Sequence, residues 1–218
     1  MGAGLLESLR SLSLALKERG ENRVVGSRLS ASLDDRYQRL AWAVVLANLP
    51  AGALGYIFEK SIDQHFSGIP TIAAFLGIFG LLLGLAERRA RASAEIGQLG
   101  PGRILAIGVF QAFALLPGAS RTGSAITGGL LVGLTRAEAA HFSFLLGIPI
   151  TLAACLLKFD PRSLASPELA LGALVSGLSG WLCIGAMMRF LRRNTYFPFA
   201  VYRVLVSLIL LIWMVWHR

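Results

Sequence analysis

"ILAIGVFQAFALLPGASRTGSAITGGLLVGL", residues 104–134, decides how this chain is folded. An apolar run of 13 residues, 104–116, stops at Pro117-Gly118. An arginine follows, fenced by Ser120, Thr122 and Ser124, and a second short apolar piece runs over 124–134. A helix needs about 20 apolar residues to cross the hydrocarbon core, so neither piece spans alone. Together they read as a re-entrant helix–loop–helix hairpin, about 104–134, that enters the bilayer and returns to the same side. Irregular backbone at that depth is tolerated only where protein or a water-filled cavity surrounds it.

The rest of the chain supports a membrane setting. Of its 218 residues, 55% are hydrophobic and only 15% charged, against about 25% charged in soluble domains. Mean hydropathy is +0.65. Further apolar runs cover about 40–58, 68–86, 139–157, 169–188 and 199–216. Pro50 and Gly52 are expected to kink the first, and Trp213 and Trp216 suit an interfacial belt at the end of the last. The predicted fold class is therefore all-α: a polytopic integral-membrane helical bundle of about five transmembrane helices plus the hairpin.

Residues 1–39 form a separate basic leader, expected on the cytoplasmic side. Leu5, Leu9, Leu12 and Leu16 recur there at helical spacing, as in an interfacial helix. A solvated leader fits the same residues equally well. The stretch has no apolar core and cleavage site of a signal peptide. The membrane domain is 40–218.

The net charge of +9 does not point to nucleic acid, because the basic residues sit between apolar runs rather than along one face. They read as topology. With 104–134 re-entrant, one side carries fifteen Lys/Arg: seven in 1–39, then Arg88, Arg89, Arg91, Arg103, Arg136, Arg189, Arg192 and Arg193. The other side carries four: Lys60, Lys158, Arg162 and Arg218. That split obeys the positive-inside rule, and a full crossing at 104–134 would invert every later segment.

The chemistry sits at 117–127. A charged side chain deep in a bilayer costs about 2.5–3.5 kcal/mol on insertion scales, so Arg121 must face a cavity or a partner. Its guanidinium fork matches phosphate oxygens. Gly118 and Gly123 allow close backbone approach, and Ser120, Thr122 and Ser124 add hydroxyl donors. A helix starting near Thr122 would aim free N–H groups and a positive dipole end at the same point. The candidate site for a multiply charged oxyanion is thus Gly118, Ser120, Arg121, Thr122, Gly123 and Ser124, with Arg121 and Ser120 as candidate catalytic residues. Two other readings stay open from chemistry alone: an arginine snorkelling to an interface, and a transporter's broken helix.

Other residues are weaker candidates. Glu138 and His141 share a helix face and are a candidate acid/base pair, though interfacial charge is the plainer reading. His65 is expected in a solvated loop beside Asp63. Glu59 and Glu87 read as interfacial charges ending apolar runs. Arg203 is explained by snorkelling, with bracing of the site by Tyr202 and Arg203 as the alternative. Cys155 and Cys183 lack the spacing of a disulfide framework or zinc site and are expected to be small buried apolar residues.

"PGASRTGSAITGGLLVGLTRAEAAHFSFLLGIP", residues 117–149, resembles the second signature region of the bacterial undecaprenyl-diphosphatases, the bacitracin-resistance family. "LPAGALGYIFE" at 49–59, "LLLGLAER" at 81–88 and "FPFAVYR" at 197–203 extend the resemblance over 40–218. It implies a membrane enzyme that removes one phosphate from undecaprenyl diphosphate, recycling the lipid carrier of peptidoglycan synthesis in the bacterial inner membrane. It implies two re-entrant hairpins related by inverted repeats, and an arginine on the diphosphate at Arg121, with the neighbouring family serines at Ser120 and Thr122. A divalent cation, Mg²⁺ or Ca²⁺, is implied, with no metal ligands visible in this chain. The implied partners are undecaprenyl diphosphate and the bilayer; a homodimer is left open.

Two departures accompany the resemblance. The family threonine falls on Ala125, between Ser124 and Thr127. The family's first signature, a Glu-rich stretch followed by Ser-Ser-x-Gly-His, has no match in 1–39, where Glu7, Glu18 and Glu21 lie in basic polar sequence. The chain is therefore expected to be a fragment, a product of a mis-assigned start, or a member that catalyses poorly or not at all alone. The alternative function is a non-catalytic binder or transporter of anionic polyprenyl lipid. The glycines Gly128, Gly129 and Gly133, the last two spaced as GxxxG, are expected to receive the missing repeat.

Overall fold

The computed structural model describes residues 37–58, 62, 64–90, 94–157 and 167–217. The expected interfacial helix and Glu7, Glu18, Glu21, Glu59, Lys60, Asp63, Arg91, Lys158 and Arg162 lie outside these residues. The chain falls into two compact units, Met1–Trp42 and Ala43–Arg218, and the hairpin with the helices around it belongs to the second.

The main helices are α1 (Tyr37–Phe58), α2 (Ile69–Arg89), α3 (Pro101–Ala112), α4 (Arg121–Leu131), α5 (Arg136–Leu157), α6 (Pro167–Leu191) and α7 (Phe197–Trp216), and residues 62 and 64–66 are helical as well, so that His65 does not lie in the expected loop. Five of them, α1, α2, α5, α6 and α7, are long and apolar enough to cross a membrane. At 1.5 Å per residue, α2 is about 30 Å long, the thickness of the hydrocarbon core. The chain is a multi-pass helical membrane protein.

The long helices overrun the apolar stretches that announced them. Arg88 and Arg89 lie inside α2, Arg136 and Glu138 inside α5, and Glu168 and Arg189 inside α6. Charges end an apolar run but not a helix, whose interfacial turns remain hydrogen-bonded. The basic pair in the last turn of α2 also suits the negative end of the helix dipole. α1 runs unbroken through Pro50 and Gly52.

α3 and α4 are the hairpin. At about 18 and 16 Å, neither crosses the core. Both begin with a local signal. Pro101 opens α3 where its missing N–H is harmless, and the Ser120 hydroxyl accepts the Gly123 N–H, 3.3 Å, at the start of α4. A short 3-10 turn, Phe113–Leu115, and the turn 116–120 join them. The hairpin base is closed: the Ala94 N–H donates to the Gly133 carbonyl, 3.1 Å, and the Thr135 N–H to the Ala94 carbonyl, 3.2 Å. Entry and exit therefore meet, as a re-entrant element requires.

The same end of the bundle is tied by polar bonds. Arg136 Nε lies 2.6 Å from Glu87 Oε1, and the Tyr196 hydroxyl donates to the Arg136 carbonyl, 2.9 Å. The Ile96 N–H donates to Glu138 Oε2, 3.2 Å. These bonds join the end of α2, the hairpin base, the start of α5 and the α6–α7 turn. Glu87 is thus more than an interfacial charge: it is 6% exposed and ion-paired. Burial raises the pKa of the Tyr196 phenol, with Glu87 adding to the rise and Arg136 opposing it.

Small residues let the helices close on one another. Gly77, Gly80 and Gly84 of α2 lie against Ser207, Arg203 and Ala200 of α7, and the Ser207 hydroxyl donates to the Ala73 carbonyl, 2.6 Å. Gly108 of α3 presses on the Ala47 carbonyl of α1, and Gln111 Nε2 donates to Asn48 Oδ1, 2.9 Å. Gly128 packs on Phe110, and Gly129 on Ala139 and Leu134. The glycines assigned to a second repeat are therefore used within the hairpin and against α5, apart from Gly133, which reverses the chain at φ 101°. Cys155 and Cys183 are exposed on α5 and α6, correcting their expected burial. Lipid accepts a small apolar side chain as readily as a core does.

Candidate functional site

Helix lengths place the hairpin tip about halfway through the bundle. Gly147, opposite the tip, lies about 16 Å along α5 from Arg136. Here the backbone turns sharply. Gly118 has φ 95° and is pressed against the Ile72 carbonyl of α2, so no other residue fits without strain. Ser120 follows with φ 69°, the one non-glycine residue with positive φ among those described. Such a conformation costs on the order of 1–3 kcal/mol and persists only where the surroundings impose it.

The surroundings are identifiable. Arg203 of α7 is 7% exposed, and its Nη2 donates to the Gly118 and Ala119 carbonyls at 3.1 and 2.6 Å. Ser124 is fully buried and donates to the Ala119 carbonyl, 3.4 Å. The Thr127 hydroxyl donates to the Gly123 carbonyl, 2.7 Å. Gly123 rests on Arg203 Nη1, which a Cβ there would strike. The turn's carbonyls are thus engaged on the inner side, while Ser120 and Arg121 are exposed.

Arg121 makes no hydrogen bond or ion pair among the described residues. Its side chain lies over α5, with Nη2 3.8 Å from where a Gly147 Cβ would be. Together with Thr122 it closes one end of an open groove of about 480 Å³. Small side chains at every fourth position of α5, Ser143, Gly147, Thr151 and Cys155, alternate there with Phe144, Ile148 and Leu152. The groove therefore joins a cationic end to an apolar length, open beside a helix that faces lipid.

The structure divides the sequence's candidates. Arg121, Thr122 and the exposed Ser120 stand at the groove end; Ser120 spends a lone pair on the cap and keeps its O–H to donate. Gly118, Gly123 and Ser124 have packing and bracing reasons for being what they are. Arg203 braces the tip rather than snorkelling, whereas Tyr202 is 65% exposed and does not. His141 is exposed, and Glu138 turns to Ile96, so the two do not form an acid/base pair. The α5 face was missed, although small residues at 143, 147, 151 and 155 carry a close-packing signal.

Among the described residues no group of three His, Cys, Asp or Glu side chains comes together. The tip offers a guanidinium, hydroxyls and N–H groups, a donor set for an anion and not for a divalent cation.

Comparison with known proteins adds a family. A family model described as "Bacitracin resistance protein BacA" matches residues 11–209. A protein named undecaprenyl-diphosphatase from Syntrophobacter fumaroxidans is 42% identical over 186 residues, covering 83% of this chain and 66% of that protein. Proteins of the same name from Trichlorobacter lovleyi and Thermobifida fusca are 40% and 36% identical over 178 and 179 residues. These cover 78% and 79% of this chain and 65% and 61% of those proteins. The chain spans just under two thirds of the length of these relatives.

Proposed function

The chain belongs to the BacA family of bacitracin resistance proteins, and on that basis we propose that it acts on undecaprenyl diphosphate, hydrolysing it to undecaprenyl phosphate and phosphate. The observation that carries this reading is Arg121: an arginine without a protein partner among the described residues, at mid-depth of a membrane bundle, facing a groove that is cationic at one end and apolar along its length. A cation at membrane depth without a counter-ion is costly, and a diphosphate headgroup supplies one. Phe144, Ile148 and Leu152 offer the polyprenyl chain an apolar track. The relatives' name is undecaprenyl-diphosphatase.

Hydrolysis of a phosphoanhydride depends on positioning and charge neutralisation. Arg121 would hold the diphosphate, the Thr122 and Ser120 hydroxyls would donate to its oxygens, and the first turn of α4 would add its positive end to the developing charge. The described residues bring together no group of three His, Cys, Asp or Glu side chains for a divalent cation. The site belongs in the inner membrane of a bacterium, where the lipid carrier is recycled.

A second reading, a binder of anionic polyprenyl lipid that does not turn it over, is favoured by one observation: among the described residues the Ser120 hydroxyl accepts the Gly123 N–H and is hydrogen-bonded to no His, Asp or Glu side chain. Phosphate release from undecaprenyl diphosphate by the purified chain in liposomes with Mg²⁺ separates the two. Turnover that falls at least a hundredfold in Arg121→Ala supports hydrolysis, given roughly 3 kcal/mol for a lost charge-assisted contact. Binding that depends on Arg121 without any turnover supports the second reading. Unchanged binding and turnover in Arg121→Ala would remove the site.

A further inference from the structure

Arg203 is an unusual residue to find behind the hairpin tip. It lies in a membrane-spanning helix, almost fully buried, and no carboxylate pairs with it among the described residues. Only its Nη2 is hydrogen-bonded; Nε and Nη1 are buried without partners. A buried charge normally carries a counter-charge, and removing that partner is strongly destabilising. The chain nevertheless makes room for this cation on two sides, with Gly80 of α2 beneath its Cβ and Gly123 of α4 beside Nη1. The two carbonyls that it holds, Gly118 and Ala119, immediately precede the strained Ser120 and the clamp residue Arg121.

We propose that Arg203 is a positioning residue for the diphosphate clamp, fixing the tip so that Arg121 and the first turn of α4 face the groove, with the anionic headgroup as the charge that balances it. The inference rests on the proposed diphosphate site at Arg121. Its physical content is twofold. The bonds to Gly118 and Ala119 turn the electronegative carbonyls away from the anion. The unpaired charge makes the empty site electropositive, so the gain on binding exceeds what the exposed Arg121 provides alone. Arg203 does not reach the ligand, because its free nitrogens are buried.

The test is equilibrium binding of undecaprenyl diphosphate and undecaprenyl phosphate to the full chain in lipid nanodiscs. Arg203→Gln is expected to weaken diphosphate binding roughly tenfold or more, the scale of a lost charged hydrogen bond, and to narrow the preference for diphosphate over monophosphate. Arg203→Lys, which keeps the charge and one donor, is expected to recover a substantial part of both. Gly123→Ala supplies a variant that keeps the charge and displaces the guanidinium. Its loss of affinity should largely vanish in the Arg203→Gln background, since both changes act on one contact.

Should Arg203→Gln fail to fold, Arg203→Lys and Gly123→Ala decide the matter: loss of the diphosphate preference in Gly123→Ala, with retention in Arg203→Lys, upholds the proposal. Arg121→Ala losing affinity while the Arg203 and Gly123 variants bind as wild type would overturn this inference and leave the proposed function standing. Additive effects in the double variant would also overturn it. A wild-type chain that binds neither lipid would overturn the proposed function itself, and this inference with it.

Discussion

Single residues at the tip and the base are chosen by geometry that only the folded chain reveals. Gly118 read from sequence as a place for close ligand approach; its φ of 95° and its contact with Ile72 show that the close approach is to α2. Gly118→Ala is expected to destabilise the protein by roughly 2–5 kcal/mol, from left-handed strain plus overpacking, measured as a lowered midpoint of thermal unfolding in detergent. Tyr196 was not legible at all. Its partner Arg136 is 60 residues away, and no local pattern announces the bond. The raised pKa of its phenol means that folding favours the neutral form. That contribution is fully present below the ordinary tyrosine value of about 10 and is lost as pH rises through the folded value. Unfolding midpoints of wild type should therefore fall more steeply above about pH 10 than those of Tyr196→Phe, which has no proton to lose.

Elements were more legible than residues. The length of the uncharged apolar runs identified five spanning helices, and the Pro-Gly break identified the hairpin. Their ends were not legible, because hydropathy stops at a charge whereas a helix continues one more turn into the interface. The α5 groove face was hidden for a related reason: Ser143, Gly147 and Thr151 look like ordinary tolerated small residues until the hairpin tip is seen opposite them. Re-entrancy itself can be tested on the hairpin arms. In a chain with Cys155 and Cys183 replaced by serine, Gly97→Cys and Ala137→Cys stand on the two arms of the hairpin base. A membrane-impermeant thiol reagent should label both from the same side in vesicles. Labelling from opposite sides would make 104–134 a crossing and invalidate the re-entrant fold.

Across the whole molecule, the charge asymmetry and the packing agree. Arg88, Arg89, Arg103, Arg136, Arg192 and Arg193 gather at the end tied together by Glu87, Glu138 and Tyr196, while Trp213 and Trp216 stand exposed on the last turns of α7. The close packing of α2 on α7 depends on Gly77 and Gly80, and this helix pair carries both Arg203 and the Ile72 carbonyl to the tip. Gly80→Leu is expected to separate these helices and to lower thermal stability and ligand affinity together, because the pair supports the site from behind. A variant that lost stability while keeping full affinity would uncouple the two. Everything proposed for the site depends on Arg121 being the diphosphate clamp of a membrane groove. The decisive experiment is equilibrium binding of undecaprenyl diphosphate to the wild-type chain and to Arg121→Ala in nanodiscs. A loss of roughly tenfold to hundredfold is expected in Arg121→Ala, with a smaller loss for the monophosphate. Equal affinity of the two proteins for the diphosphate would refute the clamp.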